Sequence, residues 1–298
     1  MLPAAGSVNM KRINGYGEST ISCLPEDILI DIFARLSIKA IVTCRCVSKT
    51  LRDLLSSSNS RFTKYHFARS DVQLIVETGL CKYYFYFLEL EDDTGFDDKI
   101  KLSRSRFGLS RCNLVALNSC NGFLCLGLSS EYKWNPVKIC NPITGEYLNL
   151  PTNKMDDFIE DPVVSGFGCT ANTHQYKVVR LVRRRDPVTG EKFGDRMVEV
   201  YTIGTKLWRT IGIAPINPHG PRRLLCTTFF NGAIHWVCND KHCSEFILSF
   251  DLESEKFGFV PPPPQFSLKP IMERYAIRIG VLGEFFYFSH NMELWVMK

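Results

Sequence analysis

The side chains with the strongest potential for chemistry are His235, Cys238, His242 and Cys243, four soft donors within nine positions and of the types that bind zinc. Their spacing argues against a metal. His235 stands between Ile234 and Trp236 in an alternating run that reads as a strand. Cys238-Asn239-Asp240-Lys241 reads as the turn after it, and the paired-knuckle patterns of zinc sites are not matched. No metal and no other cofactor is therefore expected. Nucleophilic chemistry has no better footing, because the chain contains neither a Gly-x-Ser-x-Gly elbow nor a glycine-rich phosphate loop. Cys44 and Cys46 lie in a helical pattern, where they are read as gap fillers. Pro261 to Pro264 form a stiff extended run of the kind proline-binding domains recognise, but it follows a strand at a position where the chain's repeat already ends in Pro, so a rigid loop is expected.

The elements that would position such residues are short strands. From about residue 71 onward, runs such as Val72 to Val76, Tyr83 to Phe87, Tyr176 to Val182, Val198 to Tyr201 and Phe285 to Phe288 are bounded by turn residues, so this part is read as all-β. It also repeats. Asn121-Gly122, Asn141, Tyr147 and Pro151 recur as Asn231-Gly232, Asp251, Phe257 and Pro261, each offset by 110 residues; Thr202, Trp208 and Gly212 repeat the last three positions. A strand, a polar turn, an aromatic on the next strand and a stop make a unit that cannot bury its own face. Stacking copies around an axis solves that problem, which predicts a kelch-like β-propeller with Tyr147, Trp208 and Phe257 as core anchors. Arg183-Arg184-Arg185, followed by Asp186-Pro187 and Gly190, is read as an exposed hairpin loop rather than a nucleic-acid site.

The N-terminal part is helical. Pro25 suits a first helical position, Glu26 and Asp27 suit the positive end of the helix dipole, and Ile28, Ile32 and Leu36 recur with Leu29 and Phe33 as one broad apolar stripe. Ser37 is placed to cap a second helix carrying Ile38, Ile41 and Val42, and Val47, Leu51, Leu54 and Leu55 give a third. Three short helices make little core. On pattern alone they would be a small cap packed against their own chain.

The run Leu24-Pro25-Glu26-Asp27-Ile28-Leu29-Ile30-Asp31-Ile32-Phe33-Ala34-Arg35-Leu36, followed by Arg45-Cys46-Val47-Ser48-Lys49, resembles an F-box, the adaptor-docking module of Skp-cullin-F-box (SCF) ubiquitin ligases. The resemblance spans about residues 23 to 69. It implies that Leu24, Pro25, Ile28, Leu29, Ile32, Phe33 and Leu36 dock on a Skp-type adaptor. Leu51 stands where plant members commonly carry Trp, and Cys44 where Phe is usual; both remove aromatic volume from a small core. From about residue 80, Asn121 to Leu126, Asn141 to Gly145, Gly166-Phe167-Gly168, Trp208-Arg209, Asn231 to Trp236, Ile247 to Leu252 and Leu294 to Met297 together resemble a plant F-box-associated domain. The expected organisation is a flexible segment 1–22, a three-helix F-box 23–69 and a kelch-like β-propeller 70–298: multi-domain, α then all-β. Family members continue past the last of these motifs, so the propeller is expected to be incomplete at its C-terminus.

Composition and charge fit this reading. A chain of 298 residues, 45% hydrophobic and 22% charged, can bury a sizeable core, and no run has the apolar length of a membrane span or signal peptide. Twelve scattered Cys and no Asn-x-Ser/Thr acceptor suggest a reducing cytoplasmic or nuclear setting. Residues 1 to 70 hold 10 Lys+Arg against 5 Asp+Glu, while the rest is balanced, 26 against 26. A basic helical module suits an acidic protein partner, and the resemblance implies an acidic adaptor; Arg35, Lys39, Arg45, Lys49 and Arg52 lack the interleaved aromatics of a nucleic-acid surface. The expected function is that of a non-catalytic substrate receptor. It would hold the adaptor, and through it cullin and RING subunits, while the β domain holds a target protein. The rivals are a shortened competitor that binds adaptor but no target, and a propeller enzyme or zinc protein, which would need acids or ligands converging on the axis.

Overall fold

The computed structural model describes residues 24–36, 38–56, 60–69, 74–78, 84–90, 100–104, 114–128, 134–142, 146–159, 162–191, 194–216, 227–238, 247–261, 277–290 and 293–297. The chain divides into two compact units, Met1–Val72 and Gln73–Lys298.

Among its described residues the first unit holds four helices, α1 (Glu26–Ala34), α2 (Ile38–Cys44), α3 (Lys49–Leu54) and α4 (Ser60–Arg69), where three were expected. Pro25 precedes α1 instead of opening it. Its extended backbone aims its carbonyl at the amides of Ile28 and Leu29, so it closes the first turn from outside. Ser48 caps α3, its hydroxyl accepting from the Leu51 amide at 3.1 Å. Ser37, the expected cap of the second helix, lies outside the described residues. The fourth helix supplies what the other three lack. Phe62 of α4 is buried with Leu29, Ile30, Phe33, Ala34, Ile41, Leu54 and Leu55, while Leu51 and Cys44 pack at the margin of that cluster. Phe62 thus provides aromatic volume that Leu51 and Cys44 do not. Ion pairs Arg61–Asp27 at 2.6 Å and Arg69–Asp31 at 2.8 Å set α4 against α1.

Among its described residues the second unit holds five antiparallel sheets whose strands pair in chain order. The first comprises β1 (Leu74–Thr78), β2 (Tyr84–Leu90) and β3 (Ile100–Arg104); the second β4 (Leu114–Cys120), β5 (Phe123–Leu128), β6 (Asn135–Cys140) and β7 (Tyr147–Asn149). The third comprises β8 (Val164–Cys169), β9 (Tyr176–Val182), β10 (Met197–Thr202) and β11 (Arg209–Ile213). The fourth comprises β12 (Thr227–Phe230), β13 (Ala233–Val237), β14 (Ile247–Asp251) and β15 (Lys256–Val260), and the last β16 (Ile277–Leu282), β17 (Phe285–His290) and β18 (Glu293–Met297). From residue 114 onward the leading strands of successive sheets face one another: β4 meets β8, β8 meets β12, β12 meets β16, and β12 also touches β4. This is a four-blade propeller-like arrangement. The last blade has three strands among the described residues.

Alternation along each strand feeds two neighbouring blades. Val178 packs toward the second sheet with Phe167 and Tyr201, while Val179 and Leu181 pack toward the fourth with Ile234, Trp236 and Phe250. The 110-residue repeat is realised in backbone geometry. Asn121 and Gly122 (φ 48° and 78°) and Asn231 and Gly232 (φ 47° and 77°) form two-residue hairpin turns in which both residues need positive φ. The register repeats as well, with Cys140 opposite Tyr147 and Phe250 opposite Phe257. The three aromatics do not share one fate. Phe257 packs edge-on against Phe250 and Trp208 packs at the margin of a core, but Tyr147 is 60% exposed, with the Lys138 ammonium 3.9 Å from its ring centre. Its strand partner Cys140 offers no ring to pack against, so the expected core anchor is a surface aromatic.

Gly166 and Gly168 explain themselves through the blade contact. A Cβ on Gly166 would collide with Ile234, and one on Gly168 with Phe229 and Leu252, so β8 reaches the fourth sheet only as bare backbone. On its other side, Asn118 accepts from the Phe167 amide at 3.1 Å and donates to the Phe167 carbonyl at 2.7 Å, where a register shift in β4 turns Asn118 toward the next sheet.

Candidate functional site

Helix α1 is apolar on two sides. Leu29, Ile30, Phe33 and Ala34 are buried in the helical core, whereas Ile28 and Ile32, and Leu24 just ahead of the helix, are 47%, 44% and 40% exposed at intervals of four. Single exposed apolar residues are ordinary, but three large ones in a row form a stripe that water solvates poorly. Pro25 is exposed beside it, and Leu36 packs at the core margin. The seven residues expected to dock a partner therefore divide into an outward set, Leu24, Pro25, Ile28 and Ile32, and an inward set, Leu29, Phe33 and Leu36, that holds α1 in place. Two of the three acids of α1 are engaged: Arg35, just past the helix, donates two hydrogen bonds to Asp31 at 2.8 and 3.1 Å, Arg69 of α4 also reaches Asp31, and Arg61 of α4 reaches Asp27. The Arg35 side chain, with Arg69 adding to it, holds the Asp31 carboxyl below the usual carboxylate range. The stripe is thus bordered by neutralised acids on an otherwise basic unit.

The β unit conceals a second polar constellation. Arg180 is fully buried, donating from Nε to Glu199 at 2.8 Å, from Nη2 to Asp156 at 2.8 Å and from Nη1 to Asn135 at 2.9 Å. Arg184 donates to Glu199 at 2.7 Å and to the Met155 carbonyl at 3.1 Å. The indole of Trp208 lies 4.0 Å from the Arg180 guanidinium and donates to the Pro151 carbonyl. Two guanidiniums and two carboxylates balance; Glu199 ties both arginines within the third sheet, while the contacts to Asn135, Met155, Asp156 and Pro151 join that sheet to the second sheet or its outgoing link. This is a structural clasp rather than a catalytic site. It corrects the reading of Arg183-Arg184-Arg185 as a wholly exposed loop, since Glu199 and Asp156 draw Arg184 inside. The signal was present in the sequence: Arg180 and Glu199 each interrupt an apolar strand, and they stand opposite each other in the register.

The candidate chemistry resolves differently for each residue. His235 is buried on β13, its Nδ1 without a hydrogen-bond partner, and its ring 4.9 Å from that of Phe286. Burial lowers its pKa to about 4, and the nearby carbonyls of Ala233 and Thr228 offset only part of that. Cys238 is also buried; His242, Cys243 and Pro262 to Pro264 lie outside the described residues. Among the described residues no three His, Cys, Asp or Glu side chains converge on a metal position. Burial pushes the thiols of Cys120 and Cys125 up strongly and that of Cys140 to about 12, so these thiols are not nucleophiles at neutral pH. No helix among the described residues is long and apolar enough to cross a membrane.

The chain matches the F-box domain over residues 21–63 and the F-box associated beta propeller domain over residues 75–298. It belongs to the F-box-associated β-propeller family. Among its relatives in Arabidopsis thaliana, an F-box protein is 29% identical over 307 aligned residues, covering 93% of this chain and 70% of that protein. A putative F-box protein is 27% identical, covering 80% of this chain and 61% of its own length, and an F-box/kelch-repeat protein is 24% identical, covering 92% and 75%. In this F-box-associated β-propeller protein the F-box match contains the whole α1 stripe. The propeller match contains the ionic clasp and the glycine contacts of β8.

Proposed function

We propose that this chain is the substrate-recognition subunit of an SCF-type ubiquitin ligase. The observation that carries the reading is the α1 stripe of Leu24, Ile28 and Ile32, left exposed on a helix whose opposite side is fully used. A helical unit of four short helices gains little from exposing three large apolar side chains unless another protein covers them. A Skp-type adaptor is the partner that the F-box match favours, and the basic balance of the N-terminal unit suits an acidic one. Cullin and RING subunits would join through the adaptor, and the propeller would hold the target protein.

In this role the chain supplies position. Holding a target lysine near a ubiquitin thioester carried elsewhere raises its effective concentration, which accelerates transfer without any reacting group on the receptor. No described residue favours an enzyme or a competitor unable to bind a target. We place the protein in the cytoplasm or nucleus, where the seven free thiols among its described residues would stay reduced.

The test is co-purification of the full chain with a plant Skp-type adaptor and cullin. A stoichiometric adaptor complex that recruits cullin only when adaptor is present is the expected result. Failure to bind any Skp-type adaptor would overturn the reading.

A further inference from the structure

The exposed stripe of α1 ends on a charge. Arg35 follows the helix with a nearly helical backbone, its amide bonded back to the Ile32 carbonyl, so it continues the helical ladder. Standing three positions past Ile32, it shares one side with Leu24, Ile28 and Ile32. Its side chain is 64% exposed, and its Nε and Nη2 both donate to one oxygen of Asp31. Asp31 has a second cation, because Arg69 of α4 reaches its other carboxylate oxygen at 2.8 Å. Near the start of the helix Asp27 and Arg61 form a balanced pair, so the end that carries Arg35 holds two guanidiniums to one carboxylate. Arg35 is the spare partner. When it leaves, Asp31 stays paired with Arg69, and an exposed ion pair such as Arg35–Asp31 is held only weakly. A protein that covers Ile28 and Ile32 and presents a carboxylate at this end offers Arg35 a drier partner, where a charge-assisted hydrogen bond is stronger.

We propose that Arg35 is a specificity-determining residue of the α1 docking face: on docking it exchanges Asp31 for a carboxylate of the Skp-type adaptor, while Arg69 keeps Asp31 neutralised. This rests on the reading of α1 as the adaptor-docking helix and adds to it a chemical selection. The apolar stripe supplies contact area but discriminates poorly among apolar partners. One unspent positive charge at its end discriminates by sign, and it matches the excess of Lys and Arg over Asp and Glu in the first 70 residues. Asp31 then has a role of its own. It holds the Arg35 guanidinium back along the helix until a competing carboxylate arrives, so a neutral or basic apolar surface leaves Arg35 where it is.

Calorimetric titration of the full chain with a plant Skp-type adaptor, at about 0.05 M and about 0.5 M salt, tests the exchange. Arg35→Met is expected to bind about tenfold more weakly than the parent at the lower salt, with the gap closing to about twofold at the higher. Asp31→Asn, which releases Arg35 in advance, is expected to bind within about twofold of the parent or more tightly. A pair that merely braced α1 would be weakened from either side and would not give this asymmetry. A loss beyond about twofold in Asp31→Asn, a low-salt gap for Arg35→Met below about twofold, or a gap that salt does not close would each overturn the proposal. So would loss of ellipticity at the helical minimum in Arg35→Met, which would make the residue structural. All of these outcomes leave adaptor binding by the parent intact, whereas a parent that binds no Skp-type adaptor would overturn the underlying reading and this proposal together.

Discussion

Neighbouring residues on α1, Ile32 and Phe33, should respond in opposite ways to the same substitution. Ile32 is 44% exposed, so Ile32→Asp removes little from the folded helical unit, a change within about 0.5 kcal/mol for a surface site. At an adaptor interface the consequences are larger. Burying a whole Ile side chain is worth about 1.5–3 kcal/mol, of which roughly half remains available on docking, and forcing a carboxylate into an apolar contact adds a few more. A total near 4 kcal/mol corresponds to about a thousandfold in Kd. Phe33 is only 7% exposed and packs in the core with Leu29, Ile41 and Phe62. Truncating a buried Phe costs about 3–5 kcal/mol before any charge is added, which is comparable to the entire stability of a small helical unit. Calorimetric titration with adaptor, paired with ellipticity at the helical minimum, separates the two. Ile32→Asp should lose binding and keep its helix; Phe33→Asp should lose both, with the β melt unchanged in each case. Ile32→Asp binding within tenfold of the parent, or Phe33→Asp retaining full helicity, would refute the assignment of outward and inward faces.

Glu199→Gln should destabilise the β unit by about 3–5 kcal/mol in urea unfolding, because it leaves a net positive charge buried between Arg180 and Arg184; Glu253→Gln on an exposed turn should cost under about 1 kcal/mol, and equal effects would show that the clasp carries no special weight. The depressed pKa of His235 makes stability depend on pH in a defined direction. Between the unfolded value near 6.5 and the folded value of about 4, the unfolded chain holds the extra proton, so this contribution is complete above pH 6.5 and is lost as pH falls toward 4. From pH 7 to pH 5 the loss attributable to this ring is about 2 kcal/mol, and His235→Phe should flatten that part of the profile; an unchanged slope would remove His235 as its cause. Gly168→Ala should cost about 1–3 kcal/mol by overpacking against Phe229 and Leu252, while Ala at the open position Gly194 should change stability far less in the same thermal melt.

Much of the propeller was legible because its signals are local and repeat. Asn-Gly at 121 and 231 specifies a hairpin by backbone chemistry, and Tyr176 to Val182 reads as a strand from β-branched content alone. What escaped the sequence reading depends on what lies across a gap. Tyr147 and Phe257 occupy equivalent register positions, yet one faces Cys140 and the other Phe250, and only the second finds a ring to pack against. The stripe on α1 was visible, but a helix apolar on two sides does not reveal from its period which side faces its own core. Ile32 and Phe33 were therefore grouped together. α4 was missed because a mostly polar segment, Ser-Arg-Phe-Thr-Lys-Tyr, places Phe62 in the core without advertising a periodic face. Arg184 was assigned to solvent because its neighbours Asp186, Pro187 and Gly190 form a turn, and nothing within three residues announces Glu199 and Asp156.

The Asn118 side chain has a further consequence for how the propeller opens. Both the amide and the carbonyl of Phe167 point away from β9 and are satisfied by that single side chain from the neighbouring sheet. Fraying of the β8–β9 hairpin leaves this pair of bonds intact, whereas parting of the second and third sheets breaks both at once. The exchange rate of the Phe167 amide therefore serves as a clock for ring opening, distinct from the amides that report on strand loss within a blade. The β unit thus carries in one peptide group a built-in gauge of whether its second and third sheets are still together.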